Sequence, residues 1–158
     1  MFTAYEEGLL RFKRVGLDGK LEHVDDYRWN TDELGNCVGF TTREKSSHMF
    51  MFFDSFTLQC IQIVEGNKLK LKWTSKVSFK NPNTMKEEEF KCLVMNFLER
   101  QKILLLGAME NQIIAYNIET GTKIGDHLAS GSSANNDVAI IAASDKHSCF
   151  ITSSTSLD

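Results

Sequence analysis

A chain of 158 residues with 42 % hydrophobic and 25 % charged residues can bury an ordinary core, so its composition reads as a globular domain and excludes a disordered one. Its 18 basic and 21 acidic residues leave a net charge of −3, with neither the basic stripe of a nucleic-acid binder nor a long acidic tail. The longest apolar run, around His48–Phe53, falls far short of the roughly 20 residues that cross a bilayer. Glu6 and Glu7 stand where a secretory leader carries positive charge, so neither a membrane span nor secretion is expected.

In chain order, residues 1–5 (MFTAY) read as the end of a strand, 8–15 (GLLRFKRV) as a second strand and 20–27 (KLEHVDDY) as a third, after the turn GLDG. The next runs are CVGFTT (37–42), HMFMFF (48–53) and TLQCIQIVEGNKLKL (57–71). A shift of 55 residues lays them on CLVMNF (92–97), ILLLGA (103–108) and QIIAYNIETGTKIGD (112–126) without a gap, with Gly66 falling on Gly121. That is an internal repeat.

In the second copy the runs are Lys91–Phe97, Ile103–Ala108, Gln112–Ile118 and Thr122–Leu128, joined by three or four residues. Such short joins suit antiparallel hairpins, whereas a parallel sheet needs long crossovers. Four-stranded meanders recurring every 40–55 residues or so are the unit of a β-propeller, and burial of each blade on both faces explains continuous runs such as ILLL and MFMFF. Along 112–118, Ile114, Tyr116 and Ile118 point one way and Ile113, Ala115 and Asn117 the other. At the end, 137–143 (DVAIIAA) and 149–155 (CFITSST) match the first two strands of a further unit.

Naming the strands of a blade a to d, the chain reads b-c-d, a-b-c-d, a-b-c-d, a-b. The expected fold is therefore all-β, a partial WD40-type propeller of about three and a half four-stranded antiparallel blades. Its parts are residues 1–30 (strands b-c-d), 31–79 (second blade), 80–90 (linker loop), 91–130 (third blade) and 131–158 (strands a-b of an unfinished blade). Complete single-chain propellers hold about 4–8 blades, so the chain reads as a fragment of a longer propeller, of marginal stability on its own.

Tyr116–Asn117 sits where a WD repeat carries its Trp-Asp pair, with Ile61–Gln62 and Phe12–Lys13 at the equivalent place in earlier units; none keeps the literal dipeptide. On these residues, and on the order of LGNCVGF, MFMFFDSFTLQCIQI, CLVMNF…ILLLGAMENQIIAYNIETG and VAIIAASDKHSCFITSSTSLD, the chain resembles degenerate WD-repeat proteins of the fungal ASTRA-associated, G-protein β-like type. The resemblance implies a non-enzymatic scaffold subunit, nuclear or nucleocytoplasmic. It implies partners among chromatin-associated assemblies and the co-chaperone machinery that matures phosphatidylinositol-3-kinase-like kinases, with no direct contact to nucleic acid or membrane. A scaffold of another complex, in ribosome assembly or trafficking, is the alternative, and a propeller enzyme the third.

No P-loop, dinucleotide-binding, H-E-x-x-H or G-x-S-x-G motif is present, so no catalytic, cofactor-binding or metal residue is assigned and no cofactor is expected. His23, His48, His127 and His147 share no spacing and read as solvated or core-edge side chains. Cys37, Cys60, Cys92 and Cys149 lack any C-x-x-C and read as small buried hydrophobes. Asp25–Asp26 suggests either paired carboxylates or a solvated strand end, and Ser153–Ser154 with Asp158 reads as strand-end polarity.

Three loops hold the remaining information. In KNPNTMKEEEF (80–90), Thr84 and Glu87 have capping-box spacing, which predicts one helical turn on an exposed linker or a docking loop. ASGSSANND (129–137) reads as a flexible connection. DDYRWNTDELGN (25–36) sets Tyr27 and Trp29 among charges, either as a binding hot spot or with Trp29 buried against the adjacent blade.

Overall fold

The computed structural model describes residues 2–5, 8–42, 46–88, 90–108, 111–128, 137–144 and 146–155. These residues divide between two compact units, Met1–Thr74 and Ser75–Asp158.

In the first unit, β1 (Phe2–Tyr5), β2 (Leu9–Val15) and β3 (Leu21–Arg28) form a three-stranded antiparallel meander. A single helical turn, α1 (Thr31–Leu34), follows. β4 (Cys37–Thr42), β5 (His48–Phe53), β6 (Thr57–Val64) and β7 (Lys68–Lys76) then make a four-stranded sheet in sequence order. The core gathers Leu10, Trp29, Met49, Met51, Phe53 and Ile61, all buried. Every residue of β5 is buried, which is why its sequence does not alternate.

The second unit opens with a small hairpin, β8 (Phe79–Lys80) and β9 (Glu87–Glu88). β10 (Cys92–Leu98), β11 (Ile103–Ala108), β12 (Gln112–Asn117) and β13 (Lys123–Leu128) form the second four-stranded meander. β14 (Asp137–Ser144) and β15 (Cys149–Thr155) close the described chain as a two-stranded hairpin, and β14 lies against β10, β11 and β12.

The repeat holds residue by residue. Strands β4 to β7 start at 37, 48, 57 and 68, and β10 to β13 at 92, 103, 112 and 123, a constant shift of 55. The ladder slips between Cys37 and Gly39 in one and between Cys92 and Val94 in the other. In each bulge the cysteine Sγ donates to the carbonyl two residues on, Cys37 to Gly39 at 3.4 Å and Cys92 to Val94 at 3.6 Å. The residue before strand c is left-handed in all three sheets: Gly8 at φ +72°, Phe56 at +57° and Asn111 at +60°. Asn117 closes the turn after β12, its Oδ1 accepting the N–H groups of Glu119 and Thr120 at 2.9 and 3.1 Å, as an Asx turn requires. The chain is a partial β-propeller built of these antiparallel blades.

The helical turn expected in the 80–90 stretch does not form among its described residues. Asn81 Oδ1 accepts from the N–H groups of Asn83 and Thr84, and Asn81 N donates to Lys86 O, which folds the segment as a hairpin turn between β8 and β9. Thr84 Oγ1 serves Lys86 N, two residues on, and not the third residue that a capping box uses.

Candidate protein-interaction surfaces

In the first unit, the segment between β3 and β4 is a short, well-anchored projection. Trp29 is 8 % exposed, packs edge-on against Phe53 with ring centroids 5.4 Å apart, and donates its indole N–H to Gly35 O at 3.1 Å. It is therefore the foundation of the loop, buried against the next blade. Asn30 caps α1, its Oδ1 accepting from Asp32 N at 3.0 Å. At the other end Asp54 holds Asn36, its two carboxylate oxygens accepting from Asn36 N and Nδ2 at 3.0 and 3.1 Å while Asp54 N donates to Asn36 O. The loop thus presents Asp32 and Glu33 to solvent and leads into β4, whose Val38 and Phe40 are 55 % and 47 % exposed. Exposed acidic side chains on an anchored loop, and exposed apolar side chains on the strand that follows it, suit a protein partner.

In the second unit, an apolar groove of about 240 Å³ runs along the face of the β10–β13 blade. Leu105, Ile113 and Ala115 form a buried cluster there, Ile124 and Phe150 flank the groove, and among the described residues His127 is its one polar lining residue. Gln101 Nε2 donates to Ser148 Oγ, which ties the β10–β11 turn to the start of β15.

The remaining sequence candidates separate. Asp25 and Asp26 do not pair. Asp25 Oδ2 accepts from Leu69 N at 2.7 Å and Oδ1 from Lys68 Nζ at 3.2 Å, whereas Asp26 Oδ1 accepts from Arg11 Nε at 3.2 Å and meets His23 Nε2 at 3.0 Å. The Leu69 N–H, with the Lys68 ammonium, holds the Asp25 carboxyl below the usual carboxylate range. His48 is buried, stacks on Phe50 and accepts from Lys72 Nζ at 3.0 Å; His23, His127 and His147 are exposed. Burial pushes the Cys37 thiol up and the Cys92 thiol to about 12, and Cys60 is buried, but Cys149 is exposed, contrary to the reading of all four as core residues. Tyr116, on β12 next to β13, is buried, and burial together with the nearby Asp126 carboxylate pushes its phenol up to about 12. Tyr27 donates to Gln59 Oε1 at 2.9 Å at the edge of the first unit's core. Residues 129–136 and Asp158, and the side chains of Ser153 and Ser154, lie outside the described residues.

Neither surface was visible as a unit in the sequence. The α1 turn had a signal, Asn-Thr-Asp-Glu closed by Gly35, which is an N-cap, an acidic first turn and a C-cap in six residues. The groove had none, because its lining comes from five strands.

No protein-family model and no curated protein matches the chain. Among solved structures it is similar to a protein from Lactobacillus plantarum, at 17 % identity and a TM-score of 0.65 over 97 % of this chain and 46 % of that one. It is also similar to Sqt1 from Saccharomyces cerevisiae, at 16 % identity and a TM-score of 0.58 over 80 % of this chain and 32 % of that one. A third is BBS1N, solved in complex with ARL6DN, at 15 % identity and a TM-score of 0.55 over 89 % of this chain and 34 % of that one. These are propeller proteins, and at such identities the likeness is one of fold. The chain spans less than half the length of each.

Proposed function

We propose that this chain is a non-enzymatic protein-interaction scaffold, a propeller subunit of a multiprotein assembly. The observation that carries the reading is the anchored 29–36 projection, with Asp32 and Glu33 exposed on it, followed by β4 with Val38 and Phe40 exposed. A sheet that carries an anchored charged loop and exposed apolar side chains on the following strand suits a protein surface, with shape and charge as its means of selection.

The assembly we propose is chromatin-associated or concerned with the maturation of phosphatidylinositol-3-kinase-like kinases, in the nucleus or shuttling between nucleus and cytoplasm. The support for this is the motif resemblance around Leu104–Tyr116 and Phe150–Asp158. The test is affinity purification of the tagged protein with mass spectrometry of what accompanies it, beside a Phe40→Asp variant. Recovery of large kinase-like proteins and their co-chaperones, lost with Phe40→Asp, is the expected result. Recovery of a ribosome-assembly or trafficking complex keeps the scaffold and discards this assembly. A protein that turns over a small molecule, with recovery unchanged by Phe40→Asp, overturns the scaffold itself.

A further inference from the structure

Four hydroxyl side chains in the sequence have an acidic residue three positions on: Thr3 with Glu6, Thr41 with Glu44, Thr84 with Glu87 and Thr155 with Asp158. Three of them lie within strands, Thr3 opposite Arg11 in the β1–β2 ladder, Thr41 opposite Phe50 in β4–β5 and Thr155 opposite Asp137 in β14–β15. Of the four, only Thr84 sits on a turn, and only Thr84 is followed by three successive carboxylates, Glu87 to Glu89.

The turn is held firmly at its base and bare at its tip. Phe79 and Phe90 are buried with ring centroids 6.3 Å apart, Asn81 Nδ2 donates to Glu88 Oε1 at 2.7 Å, and Gln112 Nε2 on β12 donates to Glu88 Oε2 at 3.2 Å. Residues 82–87 are all exposed, so Glu88 is taken up by the blade whereas Glu87 leaves the turn into solvent. Thr84 Oγ1 accepts from Lys86 N at 3.4 Å and stays at the surface. β8 and β9 pair at two positions, Phe79 with Glu88 and Lys80 with Glu87. Opening the outer pair extends the segment around Thr84 without disturbing the blade.

We propose that Thr84 is a phosphorylation site, modified by an acidophilic protein kinase whose basic substrate groove takes Glu87 and the carboxylates after it. Lysine and arginine side chains in such a groove pair with carboxylates on the C-terminal side of the target hydroxyl. In the transfer, Thr84 Oγ1 forms a bond to the γ-phosphorus of ATP as the bond from that phosphorus to the β–γ bridging oxygen breaks. ADP leaves with the electron pair, and the hydroxyl proton passes to the kinase's base and on to water. The described hairpin side chains Lys80, Lys86, Glu87 and Glu88 balance in charge, and a phosphate adds about −2 at neutral pH. The Lys86 N–H then passes to a phosphate oxygen as a charge-assisted bond. A neutral projection thus becomes an anionic one, attractive to basic surfaces and repellent to acidic ones. The site stands whether or not the protein is a scaffold.

The test incubates the folded 158-residue protein with casein kinase II and radiolabelled ATP and maps the label by mass spectrometry of its peptides. Label on Thr84 is the expected result, lost in Thr84→Val and kept in Thr84→Ser. Glu87→Gln, which removes one charge from an exposed side chain, is expected to slow uptake about tenfold. Circular dichroism checks the fold of each variant. Mapping on the native protein locates the label without any substitution, so a Thr84→Val variant that fails to fold leaves the result standing. An unlabelled protein overturns the proposal, as does label on Thr3, Thr41 or Thr155 equal to that on Thr84. Uptake at Thr84 that Glu87→Gln does not slow overturns it too.

Discussion

At the scale of the residue, the polar side chains of this protein mostly close turns and bind backbone. Asp25 shows how little of that an adjacent pair of carboxylates reveals. Neighbours along β3, Asp25 and Asp26 accept from different partners, the first from Leu69 N and Lys68, the second from Arg11 and His23. Because the folded-state pKa of Asp25 lies below its value of about 3.9 in an unfolded chain, its contribution is fully present above that value and is lost as pH falls through the depressed one. A series of thermal melts from pH 6 to pH 2 is expected to show a steeper loss for the native protein than for Asp25→Asn, whose amide oxygen still accepts from Leu69 N but does not titrate. Parallel curves for the two would assign the acid limb to other carboxylates.

At the scale of the element, turns and bulges fix the frame that the strands follow. Two glycines separate the two ways a turn depends on this residue. Gly35, at φ +71°, would place a Cβ 1.7 Å from Asp54 Oδ1, so Gly35→Ala both strains the backbone and pushes the carboxylate off Asn36. Gly19, at φ +77°, has nothing within 4 Å of that position and faces only the conformational cost. Urea unfolding is expected to show Gly19→Ala destabilised by about 1 kcal/mol and Gly35→Ala by roughly 2–4 kcal/mol. Equal midpoints would show that Asp54 moves aside without loss. The same local chemistry decided what could be read in the sequence. Short joins, glycine turns and continuous apolar runs made the strands and the 55-residue shift legible, because hairpins and buried blades leave local marks. The β8–β9 hairpin was misread because capping-box spacing says which side chain is available at Thr84, whereas Asn81 had already taken the nearby N–H groups. The 29–36 projection was half-legible: Trp29 and its charges stood out, but its anchor on Phe53 is a contact between residues 24 apart in sequence.

At the scale of the whole molecule, stability is distributed by how many neighbours a strand has. Repeat architectures sum contributions from units and from the faces between them, so interior strands are held most firmly and end strands least. Native-state hydrogen exchange is expected to be slowest in β5, β6, β11 and β12 and fastest in β1 and the β14–β15 hairpin. Protection of β15 amides equal to that of β11 in the 158-residue protein would contradict that gradient.

The four cysteines give this arrangement a practical consequence. Cys60 is buried, Cys37 and Cys92 each lend their thiol hydrogen to a carbonyl and resist ionisation, and Cys149 alone is exposed, at the first position of β15. Since the thiolate is the species that alkylates, a maleimide dye added to the folded protein labels that one position without any engineered substitution. The native sequence thus carries its own optical tag at the start of β15, and the rate at which it takes up label reports how accessible that end of the strand is.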